Sequence, residues 1–295
     1  MTYLDTAKNV FKASSIGAII FFLLNASLII ALFFAAGGYH AILVGAAIYF
    51  ISIMITFSGF GEWVLCVMAG ARKMTRVDMK IRMIPLLELV YNKAKKKTPG
   101  MTSKIVLKVI YTPEPNAYAI GRRTICVTEG IFKLPDDVIL GILAHEVAHL
   151  ACRHTHILLL IGGGNFVMTV LILIMKLIYS ILAFFTLGSF IRNSWRSGCT
   201  QGCLSALPGL FIAGIIWLWT KFCMLFLMWS MRQHEYDAVK YVYQLGYGFE
   251  LAKGLDAIGT SEPQETFLKA LYSTHPNTHD RIGRLQQMGV SYYRY

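Results

Sequence analysis

The segment GILAHEVAHLAC (Gly141–Cys152) carries two histidines four positions apart, with a glutamate directly after the first, in an otherwise apolar stretch. On an α-helix, residues i and i+4 lie on one face, so His145 and His149 can present imidazole nitrogens to the same point. Zn²⁺ accepts such a pair. Glu146 is offset by one residue, close enough to act on a metal-activated water without joining the ligand set. The HExxH pattern therefore predicts a hydrolytic zinc site with Glu146 as general base.

A catalytic zinc ion needs a third protein ligand and one open position. The best source is SMRQHEYDAVKYV (residues 230–242), because it follows an apolar run and lies on the same predicted side of a membrane as the HExxH helix. Glu235 is the preferred ligand, His234 is the obvious competitor and Asp237 is the next. Each of the three could equally be a solvated helix residue. We expect one zinc ion per chain.

The composition indicates a membrane protein. The chain has 295 residues, of which 56% are hydrophobic and only 15% charged, against about 25% charged in ordinary soluble domains. Its formal net charge of +12 suits either nucleic acid or an anionic membrane surface. Long apolar runs favour the membrane, so we expect a lipid bilayer and no nucleic acid as partner.

Four apolar runs are long enough to cross a bilayer, for which about 20 residues suffice. They cover residues 15–36, 41–60, 157–187 and 204–229. The first run exceeds the usual apolar core of a signal peptide, about 7–15 residues, so a permanent anchor is favoured over a cleaved leader.

Basic residues set the predicted orientation. Five of them crowd the exit of the second run, whereas the 37–40 connection has none. They are Arg72, Lys73, Arg76, Lys80 and Arg82. The positive-inside rule therefore places residues 61–156 on the cytoplasmic side. The loop between the third and fourth runs is then external, and its Cys199 and Cys203 either form a disulfide or stay free thiols.

The runs divide the chain into four predicted parts. Residues 1–60 form a membrane hairpin and 61–156 the first part of a catalytic domain, while 157–229 form a second hairpin and 230–295 the second part of that domain. The fold class is thus a mainly α integral membrane protein with about four transmembrane helices and its catalytic domain in the cytoplasm.

Local patterns predict elements within the first catalytic part. The segments KIVLKVIYT (104–112) and TICVTEG (124–130) indicate short strands on either side of a turn-rich stretch, 113–123. A basic amphipathic helix precedes them and stops at Pro99-Gly100. The segment LPDD (134–137) starts the helix that contains HExxH, since acidic residues suit the positive end of a helix.

Four segments together resemble the HtpX group of membrane-bound zinc endopeptidases, gluzincins whose family includes the CAAX prenyl endopeptidases. They are PNAYAIG (115–121), HEVAH (145–149), RQHEY with Ala238, and STHPNTHDRIGRL (273–285). The order of two spans, catalytic helix, two spans and third ligand is also similar to that group.

The resemblance implies a small α+β zincin-like domain in which Glu235 is the third zinc ligand. It also implies that His275 helps to stabilise the oxyanion and that Arg281 supports the site. Asn116 and Ala117 would belong to an edge strand that binds extended substrate backbone.

One position departs from the group's pattern. The aspartate expected four residues after the third ligand is Val239 here. Loss of such a partner to a metal ligand can cost about 10–100-fold in affinity or activity. The sequence alone does not indicate what replaces it.

The resemblance implies a zinc metalloendopeptidase of a bacterial inner membrane that cleaves membrane or misfolded proteins at the cytoplasmic face, in protein quality control and stress response. Two alternatives remain. A CAAX-type prenyl-protein endopeptidase belongs to a group with more spans and a longer chain. A non-catalytic zinc-fold membrane receptor or transducer has Val239 as its only support in the sequence. The natural substrate and the oligomeric state are not determined by the sequence.

Overall fold

A computed structural model of the chain describes residues 13–162, 166–167, 169–170, 173–174, 177, 181, 200–259 and 277–293. Most of the third apolar run lies outside the described residues. Cys199 and His275 also lie outside them, and with them the choice between a disulfide and free thiols and the predicted oxyanion contact.

The described part is mostly helical and contains one four-stranded sheet. The helices are α1 (Ile16–Phe57), α2 (Gly59–Met68), α3 (Val77–Lys97), α4 (Asp136–Ala151), α5 (Thr200–Gln244), α6 (Gly248–Gly259) and α7 (Thr278–Gln287). The strands are β1 (Arg72–Lys73), β2 (Val106–Ile110), β3 (Ala117–Ile120) and β4 (Thr124–Thr128). Residues 154–162 are also helical.

A break at two glycines divides α1. Gly38 has φ 65° and ψ −149°, a conformation that essentially only glycine adopts. The break leaves two apolar segments, Ala13–Ala35 of 23 residues and Gly37–Phe57 of 21 residues, each long enough to cross a membrane. The second segment ends before residue 60, the predicted end, because Ser58 caps α2 by accepting a hydrogen bond from the Gly61 amide.

The sheet has the order β1-β2-β4-β3, with β2 parallel and β3 antiparallel to β4. The predicted strands at 104–112 and 124–130 appear as β2 and β4. The pattern of residues did not predict β3, whose sequence AYAI lies in the segment interpreted as turn-rich; only the family resemblance pointed to it. Because β3 is an edge strand, one side of its backbone is not paired within the sheet.

The HExxH helix α4 packs against α3, α5, α6 and β3. Gly141 brings α4 close to the backbone of α6: a methyl group at this position would lie 2.1 Å from the carbonyl oxygen of Glu250. The core around α4 is apolar, and Val239 of α5 is fully buried in it. The position of the aspartate expected from the family resemblance therefore faces hydrophobic side chains.

A second apolar cluster joins the start of α1 to α5 and to the helical residues 154–162. Its buried members are Ala18, Phe21, Ile157, Ile161, Cys223, Leu227 and Met228. The helix α5 continues from this cluster, so its 45 residues extend over about 68 Å. The fourth apolar run and the segment with the third candidate ligand thus lie on one continuous helix.

Gly141→Ala is expected to destabilise the protein by about 1–3 kcal/mol, because the added methyl group forces α6 away from α4. Gly283→Ala is the matched control: it is also helical, in α7, but its methyl group would meet no atom within 4 Å. Replacing a helical glycine at an open position stabilises by up to about 1 kcal/mol. Thermal unfolding in detergent measures the change in stability of each purified variant. Equal shifts in Tm for the two variants would contradict the proposed close contact between α4 and α6.

Candidate metal centre

Two imidazoles of α4 converge at one point. His145 and His149 lie one helical turn apart, and their Nε2 atoms are 3.1 Å from each other. His145 is 7% exposed, so it lies in a largely dry environment. This arrangement follows from the helical spacing alone.

The third member of the cluster comes from α5. Glu235, which is 4% exposed, has Oε2 3.1 Å from Nε2 of His145. Its Oε1 lies 3.3 Å from Nε2 of His149. Ligand atoms on a tetrahedral zinc ion, at about 2.0–2.1 Å from the metal, are about 3.3–3.4 Å apart. The three side chains therefore fit a divalent metal ion and leave a fourth position for solvent or substrate.

The two competitors for the third ligand position point elsewhere. His234 stacks on His154, and its Nε2 lies 3.2 Å from Oγ of Ser15. Among the described residues, the one group of side chains able to hold a metal ion consists of His145, His149 and Glu235. Asp237 is not part of it.

The Glu235 carboxylate and the His149 imidazole shift each other's pKa. Burial lowers the pKa of His149, but the Glu235 carboxylate outweighs burial, and the net pKa lies above its ordinary value. Burial raises the pKa of Glu235, yet His149 and His145 hold it well below its usual range. Without a metal ion, the buried carboxylate therefore favours a protonated His149.

Glu146 lies beside this cluster and contacts the sheet. It is 8% exposed, and its Oε2 accepts a hydrogen bond of 2.7 Å from the amide of Ala119 in β3. The contact fixes the carboxylate between the candidate ligands and the edge strand. Glu146 is therefore placed to exchange protons with a molecule lying between α4 and β3.

The register of β3 determines which backbone groups face the site. The carbonyl of Asn116 accepts from the Thr128 amide, so this residue pairs towards β4. Alternation along the strand turns the backbone groups of Ala117 and Ala119 the other way. The Asn116 side chain accepts from the Ala117 amide and donates to the Tyr118 hydroxyl. Of the two predicted substrate-binding residues, Ala117 thus presents its backbone to the open edge and Asn116 contributes its side chain.

Arg281 of α7 also reaches the cluster. It is 7% exposed, and its Nη1 donates to Oε2 of Glu235 over 3.4 Å. Its Nη2 donates to Oγ1 of Thr278. The guanidinium therefore contacts the Glu235 oxygen that also lies beside His145, where it helps to orient the carboxylate and offsets part of its charge.

Two contacts of the site were not predicted from the sequence. The amide of Ala119 holds Glu146, and period-two alternation from Ala117 could have indicated it. Nδ1 of His154 lies 3.1 Å from Nδ1 of His149. Because His154 comes from the next helix, no local spacing rule predicts that contact.

A cleft of about 300 Å³ opens onto the cluster. Its lining includes residues of β3. It also includes an apolar group from α4 and α6, which consists of Ile142, Leu251, Leu255 and Ile258. The cleft can therefore receive an extended chain along β3 with an apolar side chain against α4 and α6.

A metal-binding triad, an adjacent carboxylate and an open edge strand define a metallopeptidase-type site. Comparison with known proteins agrees: the sequence model of peptidase family M48 matches residues 85–289, more than half of the chain. The chain belongs to peptidase family M48. The resemblance to the HtpX group is thereby confirmed, and family membership makes the chain a membrane-associated metallopeptidase.

Similar proteins include two called protease HtpX homolog. One from Bifidobacterium longum is 26% identical over 298 residues, which cover 90% of this chain and 89% of the relative. One from Bordetella avium is 27% identical and covers 70% of this chain and 71% of the relative. The crystal structure of S. mikatae Ste24p is 18% identical with a TM-score of 0.48 over 96% of this chain, which spans 65% of the length of that protein.

The affinity for Zn²⁺ is expected to fall as the pH falls through the raised pKa of His149. A metal ion needs the neutral imidazole, so it must displace the proton, and each displaced proton costs about tenfold in apparent affinity per pH unit. Glu235 does not contribute, because its lowered pKa keeps it ionised. Competition with a chelator between pH 5 and 8 measures the slope. Glu146→Gln retains all three ligands and should keep the slope of affinity against pH. The fall should begin at a lower pH, because the Glu146 charge helps to raise the pKa of His149. A flat profile in the wild type would contradict the ligand set.

Proposed function

We propose that this protein is a zinc-dependent endopeptidase that hydrolyses peptide bonds of membrane or misfolded proteins at the cytoplasmic face of a bacterial inner membrane. One observation carries the proposal: the ligand atoms of His145, His149 and Glu235 lie 3.1–3.3 Å apart, with Glu146 adjacent. Two imidazoles and one carboxylate are a common ligand set of catalytic zinc in peptidases.

The chemistry divides between the metal and the protein. Zinc bound by His145, His149 and Glu235 supplies a Lewis acid that activates water and polarises the scissile carbonyl. Glu146 takes the proton from the attacking water and delivers it to the nitrogen of the leaving amine. Its hydrogen bond from the Ala119 amide keeps the carboxylate oriented between water and substrate. No side chain forms a covalent bond with the substrate.

The substrate backbone binds as an additional strand along β3. Ala117 and Ala119 turn their backbone groups away from β4 and towards the cleft. Their amides donate to the side chains of Asn116 and Glu146, so their carbonyls are the groups that would accept hydrogen bonds from the substrate backbone. Recognition through main-chain hydrogen bonds reads an extended conformation rather than a particular sequence. Broad specificity suits the removal of misfolded proteins.

Two further residues, His275 and Arg281, are assigned supporting roles in catalysis. His275 is proposed to stabilise the oxyanion, as the family resemblance implies. Arg281 is proposed to hold Glu235, which is supported by their 3.4 Å contact. Neither role adds a residue to the three proposed zinc ligands or removes one.

We assign four membrane spans with the catalytic domain in the cytoplasm. Support comes from the two apolar segments of α1 and from the exposed aromatic side chains of α2, Phe60 and Trp63, which suit a membrane–water interface. The exposed basic residues Arg72 and Lys73 follow directly. The division at residues 61, 157 and 230 into two hairpins and two catalytic parts belongs to the same proposal.

Glu146→Gln is expected to retain zinc and lose at least about 100-fold in cleavage of a casein-type substrate, because the general base is removed. Glu235→Gln is expected to lose both zinc affinity and activity. Asp237→Asn is the matched control, an acidic neighbour on the same helix outside the cluster, and it should match wild type. Equal inactivity of zinc-loaded wild type and Glu146→Gln would instead favour a non-catalytic receptor.

The topology can be tested with single cysteines and a membrane-impermeant maleimide, in a background where Cys199 and Cys203 are replaced by serine. Ser194→Cys is expected to react in intact cells, because four spans place residues 188–203 outside. Ser103→Cys, which is exposed between α3 and β2, should react only after permeabilisation. The reverse result would invert the orientation, and protection of both would indicate that the last two apolar runs do not cross fully.

A further inference from the structure

His149 has two ring nitrogens, and the proposed metal uses only Nε2. Its Nδ1 lies 3.1 Å from Nδ1 of His154, within hydrogen-bond distance. A neutral imidazole carries one hydrogen. When the lone pair of Nε2 binds a metal, that hydrogen must be on Nδ1 of His149, which then donates to the lone pair of His154. The hydrogen of His154 is consequently on its own Nε2.

We propose that His154 is a positioning residue of the metal centre, which fixes the tautomer and the ring plane of His149. The proposal rests on the proposed function, because it assigns a role relative to the zinc ion. A partner on the outer nitrogen of a metal-bound histidine raises the basicity of the ligand and limits rotation of its ring. The outer nitrogen of the other candidate imidazole ligand differs: the buried Nδ1 of His145 has no hydrogen-bond partner among the described residues.

A turn in the backbone places His154 beside His149. The helix α4 ends at Ala151, and Arg153 then adopts φ 63°, in the left-handed region that non-glycine residues seldom occupy. A residue with a side chain is sterically strained in this region. The turn separates α4 from the next helical residues, which begin at His154, and the ring of His154 lies beside that of His149.

His154 is itself immobilised. It is 3% exposed, and its ring stacks on that of His234 with centroids 4.4 Å apart and an interplanar angle of 8°. His234 in turn lies 3.2 Å from Ser15 at the start of α1. A row of buried side chains therefore runs from the first apolar helix to a candidate metal ligand. It also gives His234, the competitor for the third ligand position, a place in the site.

This arrangement answers the question raised by Val239. That residue is buried among apolar side chains and offers no polar group to the ligands. Polar support comes instead from two other elements: Arg281 contacts Glu235, and His154 contacts His149. We therefore expect the zinc affinity of this chain to depend on His154.

The test compares zinc affinities of the purified full-length chain by competition with a chelator. His154→Asn keeps an acceptor close to the place of Nδ1 and should retain most of the affinity. His154→Gln moves the amide one methylene further out, and His154→Leu removes it; both should weaken zinc binding about 10–100-fold. His156→Leu is the matched control, because His156 follows the same turn but contacts Phe57 rather than a ligand. It should bind zinc as wild type does.

Thermal unfolding of each variant separates binding from folding. If wild type binds zinc and all three His154 variants bind it equally well, the positioning role is wrong while the metal site stands. Equal weakening by asparagine, glutamine and leucine, or by His156→Leu, would also overturn it, since packing rather than an acceptor would then be responsible. Should wild type bind no zinc, the proposed function itself fails and this role fails with it. The comparison of asparagine with glutamine remains decisive even if the leucine variant does not fold.

Discussion

A carboxylate buried between two imidazoles is the interaction on which the rest of the site depends. Glu235 is 4% exposed, and an unpaired charge at such a position costs several kcal/mol. A proton on the neighbouring His149, or a cation that takes its place, offsets this cost. The guanidinium of Arg281 also contributes, through its contact with Oε2. The burial of these groups is what a centre that holds a positive ion requires, and the 3.1–3.3 Å spacing of the three candidate ligand side chains fits one divalent metal ion.

The long helix α5 connects this cluster to the apolar half of the molecule. Its apolar part packs against the start of α1, and the same helix then carries Glu235 to the HExxH helix. Because a helix is stiff, the packing between α1 and α5 fixes the depth and rotation at which Glu235 arrives. The contact from Ser15 to His234, and from there to His154, adds a second connection between the two halves. The membrane-side packing and the ligand geometry are thus parts of one arrangement.

The local sequence of the edge strand β3 does not indicate its role in positioning Glu146. AYAI has no run of β-branched residues, and pairing with β4 gives it a strand conformation. That pairing directs the amide of Ala119 at Glu146, so the proposed general base and the strand proposed to bind substrate are held in a fixed relation. Catalysis by a positioned base depends on such fixed distances, since a misplacement of about 1 Å can cost about 100-fold in rate.

The sequence by itself determined the features that depend on neighbours along the chain. The i, i+4 spacing puts His145 and His149 on one face, the apolar runs predict spans, and the β-branched segments predict β2 and β4. The tertiary structure decided what depends on how helices are rotated against each other. Adjacent residues on a helix point about 100° apart, so only the packing of α5 could place Glu235, rather than His234, beside the two imidazoles. The same holds for His154, whose contact with His149 depends on a backbone turn that no periodic pattern encodes.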